Sequence, residues 1–379
     1  MINIKQKVDC CGCTACANVC AHDAITMQPD DLGFKYPFVD ANKCVNCGLC
    51  NKVCQFHDNY NRYDNYDSPL VYYARRKNEG LLSKSQSGGV FYAIAEYVLH
   101  GGGIVYGAAF KESFKVCHIR ATNNKEIESL RMSKYVQSDM CDIFKSVKAD
   151  LKSFHTVLFS GTACQIAGLK SYIPIRLHEK LICIDVICHG VSSPQIWSDY
   201  IEYLEHKYNS RIKKACFRDK RFGWHGATES FLFSNGKEIF ARTNNHLYFS
   251  GLSFRESCHN CYYTNIQRVG DITLGDYWGL PKESPYEKDA KGLSLVLINS
   301  DKGKKIYEKV RESMYAGKVE TNNYLQPQLL YPTKRNPKHK DFVYDYNKYG
   351  FLMVARKYGY LGWNYKLHLL KKHIRSLFK

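Results

Sequence analysis

The stretch Cys10–Cys20 reads CCGCTACANVC, and the stretch Cys44–Cys54 reads CVNCGLCNKVC. Each contains four cysteines in the spacing C-x2-C-x2-C-x3-C, which is typical of domains that bind two [4Fe–4S] clusters. Three closely spaced thiolates bind three irons of one cube, and the fourth thiolate of each run binds the cube of the other run. The predicted ligands are Cys10, Cys13, Cys16 and Cys54 for cluster I, and Cys44, Cys47, Cys50 and Cys20 for cluster II.

Zinc is the competing interpretation of these cysteines, because paired C-x2-C units also form tetrahedral sulfur sites. A zinc ribbon needs only two such pairs, whereas this chain has two complete quartets with identical spacing. The quartets therefore favour iron–sulfur clusters, and they predict a ferredoxin-like, electron-transferring domain over residues 1–56.

The composition is that of a globular protein with more than one domain. The chain has 379 residues, of which 45% are hydrophobic, and no apolar run approaches the roughly 18 residues of a membrane span. The sequence shows no signal peptide before the first cysteine run. With 17 cysteines spaced for clusters rather than for disulfides, these features predict a cytoplasmic location.

The formal net charge of +18 favours anionic partners, although cluster-binding thiolates cancel part of it. Acidic ferredoxins, phosphate-bearing cofactors and membrane surfaces all fit this charge. The basic residues are scattered and no nucleic-acid-binding motif is visible, so we expect no nucleic-acid partner.

Strand and helix patterns alternate after the cysteine runs, which predicts a mixed α/β or α+β core behind the ferredoxin-like domain. The expected divisions are a polar linker over 57–69, a first core region over 70–153, a second over 154–330 and a basic tail over 331–379. The predicted strands are Ala24–Met27, Phe34–Phe38, Val71–Arg75, Ile104–Phe110, Val116–Ala121, Thr156–Ser160, Leu181–Cys188 and Leu295–Asn299. The predicted helices are Gly88–His100, Asp142–Ser153, one from about Cys164, Pro194–Tyr208 and a last one after Leu295–Asn299, with a hairpin turn at Asn235–Gly236.

The end of the tail has the pattern of a basic amphipathic helix. No acidic residue follows Asp345, while eight Lys or Arg remain. Within this part Trp363, Leu367, Leu370, Ile374 and Leu377 repeat at helical spacing. Such a helix ordinarily docks on its own protein, and the alternative is peripheral contact with a membrane surface or a partner protein.

Four later cysteines are candidates for a third metal site. Cys258 and Cys261 form a C-x2-C pair, Cys164 follows the turn after one predicted buried strand, and Cys188 ends another. Ligands gather at strand ends in α/β folds. Taken alone, Cys164 and Cys188 would more often be small buried core residues than metal ligands.

Seven motifs follow one another along the core. They are Ser85–Gly89 (SQSGG), Ser133–Ser138 (SKYVQS), Gly161–Leu169 (GTACQIAGL), Cys188–Pro194 (CHGVSSP), Phe217–Trp224 (FRDKRFGW), Ser257–Tyr262 (SCHNCY) and Gly270–Gly279 (GDITLGDYWG). As an ordered set they resemble the coenzyme F-420 hydrogenase/dehydrogenase beta-subunit family, and in particular bacterial ferredoxin-fused members found near polysaccharide-synthesis genes. The resemblance covers roughly residues 1–330.

This resemblance implies a flavin, normally FAD, next to a [4Fe–4S] cluster of the core. The cluster ligands would be Cys164, Cys188, Cys258 and Cys261. The flavin contacts would be Ser87, Gly88, Gly89, Lys134, Gln137, Ser138, Gly161, Thr162 and Gln165. Their chemistry agrees, because glycines let backbone N–H groups approach a pyrophosphate, hydroxyls donate to it and a lysine neutralises it.

The sequence departs from the expected patterns at three positions. The family usually has proline where this chain has Ala163, and ferredoxins usually have proline where it has Ala21 and Gln55. The loss of proline restores a backbone donor, so we expect altered hydrogen bonding around the clusters without the loss of a ligand. Five cysteines are left over and are expected to be buried thiols: Cys11, Cys117, Cys141, Cys183 and Cys216.

The sequence therefore predicts an iron–sulfur flavoprotein oxidoreductase with a ferredoxin-type redox partner. Clusters exchange single electrons and a flavin exchanges one or two, so together they can pass two electrons to a small organic acceptor. The family resemblance implies a deazaflavin or a glycan-related compound as that acceptor. His189 and Asp276 are candidate proton donors; the alternatives are a hydrogen bond to the cluster and an ordinary turn carboxylate. A non-catalytic electron-relay subunit of a larger redox complex is the alternative function, and a redox sensor is a third.

Overall fold

The structure is a computed structural model that describes residues 1–57, 60–62 and 64–361. Its strands are β1 Ile25–Pro29, β2 Lys35–Val39, β3 Leu70–Arg76, β4 Ile104–Phe110, β5 Val116–Ala121, β6 Val157–Thr162, β7 Leu181–Val186, β8 Ile212–Cys216, β9 Glu229–Phe233, β10 Glu238–Ala241, β11 Ile272–Asp276, β12 Ser294–Ile298 and β13 Met314–Lys318. Its helices are α1 Ala15–Val19, α2 Leu49–Lys52, α3 Glu79–Ser83, α4 Val90–His100, α5 Asn124–Ser129, α6 Ile143–Lys152, α7 Ala163–Tyr172, α8 Pro194–Tyr208, α9 Thr243–Phe249, α10 Pro285–Lys288, α11 Asp301–Arg311 and α12 His339–Lys357.

The N-terminal part, called the ferredoxin module, is held by very few apolar side chains. Strands β1 and β2 form an antiparallel pair, and the short helices α1 and α2 pack against each other. Its small core contains Ile2, Ile25 and Cys50, with other cysteines of the two runs packed around them. A core of this size is marginal on its own, so cluster ligation and contact with the rest of the chain must supply much of its stability.

The core is built on one eight-stranded mixed sheet in the order β13-β3-β12-β11-β7-β6-β4-β5. Its centre, β11-β7-β6-β4, is parallel, while the outer strands pair antiparallel. Helices α4 and α11 cover one face through the apolar cluster around Ile94, Val98 and Val310. Helices α6 and α7 cover the other face around Phe144 and Ile166. This confirms the predicted mixed α/β class, because a parallel centre needs apolar cover on both faces.

A smaller antiparallel sheet, β10-β9-β8, packs beside the main sheet with α8 and α12. The predicted hairpin at Asn235–Gly236 joins β9 to β10. The prediction that the helix after β12 is the last one was wrong, because α12 follows α11. Its buried residues include Phe342 and Val354. Charged residues and tyrosines lie between them, so the sequence shows no clear helical spacing of apolar residues. The predicted amphipathic helix from Trp363 to Leu377 lies outside the described residues.

The described part of the segment between module and core is attached to the core surface. Tyr60 donates from its hydroxyl to the Ala167 carbonyl at 3.0 Å, and the Asn65 amide donates to the carbonyls of Arg268 and Gly270. The polar side chains of this segment, which predict a linker, therefore make hydrogen bonds to the core.

One buried carboxyl in the smaller sheet makes stability depend on pH. Glu229 is fully buried at the start of β9, and burial raises its pKa to about 7. Its Oε1 accepts a hydrogen bond from the Asn245 backbone N–H at 2.5 Å. A carboxyl whose folded pKa is raised holds its proton more tightly in the folded state, so stability falls as pH rises from about 4.5 towards 7.

We expect Glu229→Gln to be more stable than the parent at pH 8, by about 3 kcal/mol from the size of that pKa shift. The advantage should shrink as pH is lowered and disappear well below pH 4.5, where Glu229 is protonated in both states. Thermal midpoints of the two proteins at pH 5.5 and pH 8 measure this difference. The exposed Glu202→Gln is the matched control and should change neither midpoint; an equal effect of Glu229→Gln at both pH values would contradict the assignment.

Candidate redox site

The carboxyl ends of three parallel strands meet at one edge of the sheet. Strand β6 ends at Thr162, β7 at Val186 and β11 at Asp276. Cys164 lies in the first turn of α7, directly after β6, and Cys188 follows β7 by two residues. This is the edge at which open α/β sheets place their ligands.

The four core cysteines line one cavity, although they come from three separate parts of the chain. Cys258 and Cys261 reach it from a single 3-10 turn, Glu256–Asn260, and the residue after it. Burial first, and then the charges of neighbouring cysteines, raise the pKa of Cys188 to about 12 and that of Cys261 to about 11. Buried thiols this close together ionise when a metal binds them, which fits a ligand set.

The arrangement suits a cluster rather than a single ion. In the part of the chain that the structure describes, no group of three or more His, Cys, Asp or Glu is close enough to hold one metal ion. Zinc holds each thiolate at about 2.3 Å from one centre, whereas a cube separates its four ligands by its own width. Cysteines distributed around a shared cavity therefore fit a [4Fe–4S] cluster.

A fully buried ion pair positions the loop that follows Cys261. Arg268 and Asp185 are 2% and 0% exposed, and their side chains are 2.8 Å apart. Arg268 also donates to the carbonyl of Tyr263, and Asp185 accepts from the Gly270 N–H at 2.8 Å. Since Asp185 lies on β7, this pair joins the loop after Cys261 to the strand that leads to Cys188.

In the ferredoxin module, the predicted cluster I ligands lie close together. Burial and the charges of Cys13, Cys10 and Cys54 raise the pKa of Cys16 well above its ordinary value. For cluster II, Cys50 is buried and accepts from the Ile2 N–H at 3.2 Å. Cys20 and Cys44 are half-buried and Cys47 is exposed. Cluster II ligands are therefore nearer to solvent than those of cluster I.

Cluster I ligands press directly against the core helix that carries Cys164. A Cβ on Gly168 of α7 would lie 2.7 Å from both Cβ and Sγ of Cys13. Cys11 is buried between the two ligand sets, and the neighbouring thiols of Cys13 and Cys164 raise its pKa well above the ordinary value. The glycine at 168 therefore permits the close approach of the two sets of cysteines.

Gln55, which stands where ferredoxins usually have proline, bridges the two ligand sets. Its amide donates to the Cys164 carbonyl at 2.7 Å and to Cys11 Sγ at 3.3 Å, and its oxygen accepts from the Tyr263 hydroxyl at 2.5 Å. Proline could make none of these side-chain contacts. The departure from the ferredoxin pattern thus replaces a stiff turn by a link between module and core.

The prediction of buried thiols holds for only part of the other left-over cysteines. Cys183 is buried in the main sheet, Cys117 and Cys216 are half-buried, and Cys141 is exposed. Cys141 has a positive φ of 40° and lies in a turn before α6, a position that the local sequence pattern does not reveal.

A second, larger cavity of about 820 Å³ lies next to the core cysteines. Seven of the nine predicted flavin contacts line it: Ser87, Gly89, Lys134, Ser138, Gly161, Thr162 and Gln165. Gly88 and Gln137 are not among the described residues that line it. The N–H of Gly88 donates to Ser294 Oγ, and a Cβ there would lie 2.0 Å from the Ala74 carbonyl oxygen, so this glycine serves strand packing. Gln137 lies at the junction of module and core instead.

Part of this cavity has the features of a phosphate-binding cradle. Among the described residues, the Ser87 hydroxyl and the Gln86 side-chain oxygen are buried without a hydrogen-bond partner, and both residues line the cavity. Gly89 caps the N-terminus of α4 with a left-handed φ of 80°. An unpaired hydroxyl beside a helix N-terminus fits the pyrophosphate of a dinucleotide.

Lys134 lines the cavity, but its ammonium is already engaged. It donates to the carbonyls of Ser129, Arg131 and Met132 at 3.0, 2.7 and 3.4 Å. Burial lowers its pKa to about 7. Lys134 therefore holds its own loop together in this conformation, rather than presenting free donors to a phosphate as the sequence predicts.

Comparison with protein families decides what kind of protein this is. Residues 71–145 match the profile described as coenzyme F420 hydrogenase/dehydrogenase, beta subunit N-term. Residues 154–324 match the profile for the C terminus of the same subunit, and residues 9–57 match a 4Fe-4S dicluster domain. The chain belongs to the coenzyme F420 hydrogenase/dehydrogenase beta-subunit family. The predicted family and the iron–sulfur character of the N-terminal domain are confirmed.

Among solved structures, one similar chain comes from the F420-reducing [NiFe] hydrogenase complex of Methanosarcina barkeri. It is 18% identical, the match covers 73% of this chain and 98% of that one, and the TM-score is 0.48. No curated protein matches this chain. None of the described helices has the length and apolar composition that crossing a membrane requires.

In this member of the beta-subunit family, both predicted proton donors line the larger cavity. His189 also lines the smaller one, and burial, with a smaller effect of Arg218, lowers its pKa. Asp276 is committed to two partners: Arg218 Nη1 at 2.7 Å and the indole N–H of Trp224, also at 2.7 Å. Asp276 is therefore an ion-pair partner at the end of β11, whereas His189 lies between the two cavities with its pKa below the ordinary value.

Two residues of this family member were not predicted: His118, which lines the larger cavity, and Lys220, which bonds the loop before α4. His118 is buried, and burial lowers its pKa to about 4; its ring nitrogens contact Ser138 Oγ at 2.7 Å and the Ser160 carbonyl at 2.9 Å. Lys220 donates to the carbonyls of Leu82 and Ser85, both at 2.9 Å. The one sequence feature that points to Lys220 is its place in one of the seven motifs. No sequence feature points to His118, because its partners are distant in sequence.

Proposed function

We propose that this chain is an iron–sulfur flavoprotein oxidoreductase that passes electrons between a ferredoxin-type partner and an organic acceptor. The observation that carries the proposal is the shared wall of the two cavities. Thr162, Gln165, Cys188, His189 and Gly190 line both of them. When bound, the clusters supply single-electron exchange and the flavin supplies one- or two-electron exchange.

The proposed route begins at the exposed side of the ferredoxin module. Cys47 is exposed, and the neighbouring Val45 and Leu49 are 59% and 43% exposed. This side is the proposed contact for a redox partner. The contact between Cys13 and Gly168 supports a route from cluster I to the core cysteines, since electron transfer falls off steeply with separation.

The larger cavity supports a substrate site on this chain rather than a relay role alone. Its volume of about 820 Å³ lies in the range of ligand pockets, and the predicted flavin contacts form only part of its lining. Trp278 is 42% exposed at its edge and stacks on buried Trp224 with ring centroids 5.0 Å apart. We propose that a planar acceptor stacks there, that His189 exchanges its proton, and that a deazaflavin is the first acceptor to test in this family.

The test is the composition and spectrum of anaerobically purified, reconstituted chain. We expect about twelve irons, as three cubes require, and about one flavin per chain. Reduced ferredoxin should then reduce the bound flavin, and the isolated chain should reduce a deazaflavin. Iron without flavin would refute the proposal. Flavin reduction without turnover of a deazaflavin, carbonyl or alkene acceptor would favour the relay subunit.

We expect Ser87→Asp to lose flavin while keeping its iron. A carboxylate at this position would repel the pyrophosphate beside the N-terminus of α4, and unfavourable like-charge contacts cost several kcal/mol. Flavin affinity should fall at least about tenfold, or ~1.4 kcal/mol. Fluorimetric titration of flavin-depleted protein measures it. Ser83→Asp, at an exposed serine on the nearby helix α3, is the control and should bind flavin normally. Equal affinities in both variants would place the pyrophosphate elsewhere.

A further inference from the structure

Arg255 is a buried cation at the junction of the ferredoxin module and the core. Its side chain belongs to the core, three residues before Cys258, and the residue is 1% exposed. It lines the same cavity as the four core cysteines. The guanidinium therefore lies at the edge of the proposed core cluster.

The same guanidinium reaches into the ferredoxin module. Its Nε donates to the Cys10 carbonyl at 2.7 Å, and its Nη2 lies 3.6 Å from Cys10 Sγ and donates to the Lys35 carbonyl at 2.9 Å. The Tyr36 ring stacks against it at 4.2 Å. Arg255 is thus fixed next to a predicted ligand of cluster I as well.

The hydrogen-bond partners of Arg255 within the described chain are carbonyls, an amide oxygen and a thiol, and none is a carboxylate. The adjacent Glu256 is engaged by Arg335 and His339. A buried guanidinium stays charged, and an uncompensated buried charge is strongly unfavourable. The cysteine ligands on its two sides are therefore the anions that compensate it.

We propose that Arg255 is the shared counter-charge of cluster I and the core cluster, and that it raises the reduction potentials of both. The inference rests on the proposed function, because it requires a cluster in each ligand set. A [4Fe–4S]2+ cube with four thiolates is a dianion, and the single electron that it accepts from the preceding centre makes it a trianion. A fixed positive charge stabilises the trianion more than the dianion. Placed between two cubes, it keeps their potentials close, so an electron passes between them with little change in free energy.

The test is a redox titration of the full, iron-loaded chain followed by electron paramagnetic resonance. In Arg255→Met, the potentials of cluster I and the core cluster should fall, with each equilibrium constant for reduction lowered at least tenfold, or about 59 mV for one electron. The potential of cluster II should not change, which makes it the internal reference. Arg255→Lys retains the charge and should recover most of the shift. Unchanged potentials at wild-type iron content, or a shift of one cluster only, would overturn the proposal.

A second pair of variants keeps the test decisive if Arg255→Met loses iron. Gln137 accepts from Arg255 Nη1 at 2.9 Å and donates to the Cys11 carbonyl at 2.8 Å. Gln137→Glu leaves Arg255 in place and neutralises it, so the same two potentials should fall. Gln137→Met removes both hydrogen bonds without adding charge and should leave the two potentials near wild type; equal potentials in Gln137→Glu and Gln137→Met would overturn the proposal. A wild-type chain with only about eight irons would instead refute the proposed core cluster.

Discussion

Removing Cys258 and Cys261 together should lower the iron content from about twelve to about eight per chain, because one of three cubes is lost. Cys164 and Cys188 alone cannot hold a cube. Among the described residues that line the same cavity, Cys11 is the one further thiol, and one thiol cannot replace two ligands. The ferredoxin module should keep both of its clusters. Reduced ferredoxin should then no longer reduce the bound flavin, because the centre between module and flavin is missing.

Iron analysis of the Cys258→Ala/Cys261→Ala variant measures the first effect, and the flavin absorbance after addition of reduced ferredoxin measures the second. Cys216→Ala is the matched control, since Cys216 is a half-buried cysteine outside the three ligand sets. The control should retain about twelve irons. An unchanged iron content in the double variant would show that the C-x2-C pair binds no cluster.

Asp185→Ala should destabilise the core by about 3–5 kcal/mol, because it leaves the buried Arg268 guanidinium without its partner. Asp185 is 0% exposed and also accepts from the Gly270 N–H. The loop after Cys261 would lose its attachment to β7, so the core ligands should separate. We expect about four irons to be lost while the ferredoxin module stays loaded.

Thermal unfolding and iron analysis of the same preparation test both parts of this prediction. Glu79→Ala is the control, because it removes an exposed ion pair in which Glu79 is 69% and Lys291 is 44% exposed. It should lower the stability by at most about 1 kcal/mol. Asp185→Leu/Arg268→Met removes both charges and should recover much of the stability. A loss of stability without a loss of iron in Asp185→Ala would show that the pair supports the fold but does not position the ligands.

Elements with a strong local pattern were predictable to within a few residues. The strands Ile104–Phe110 and Val116–Ala121 and the helix Pro194–Tyr208 have the predicted bounds, because buried strands and capped amphipathic helices carry continuous patterns. Helix α12 was not predicted, since its buried residues alternate with charged and tyrosine positions. The segment before the core was predicted as a linker from its polarity, and polarity does not distinguish solvated residues from residues bonded to a surface.

The candidate site divides in the same way. The family resemblance carried by the motifs predicted seven residues that line the larger cavity, whereas each motif alone also fits an ordinary loop before a helix. The resemblance also predicted Gly88 and Gln137, which lie outside its lining. Spacing within a motif does not distinguish a residue that faces a ligand from a residue that packs on a strand or on a neighbouring domain. That distinction depends on which way each side chain points after folding.

The chemistry of the N-terminal module can be read in the linear chain, because all but one ligand of each predicted cube lie within seven residues of one another. The junction between module and core cannot. Arg255, Gln55, Asp185 and Gly168 meet partners that are 83 to 245 positions away, and no local pattern encodes contacts over such distances. Only folding places the Arg255 guanidinium, the Gln55 amide and the side-chain-free Gly168 between two sets of thiols.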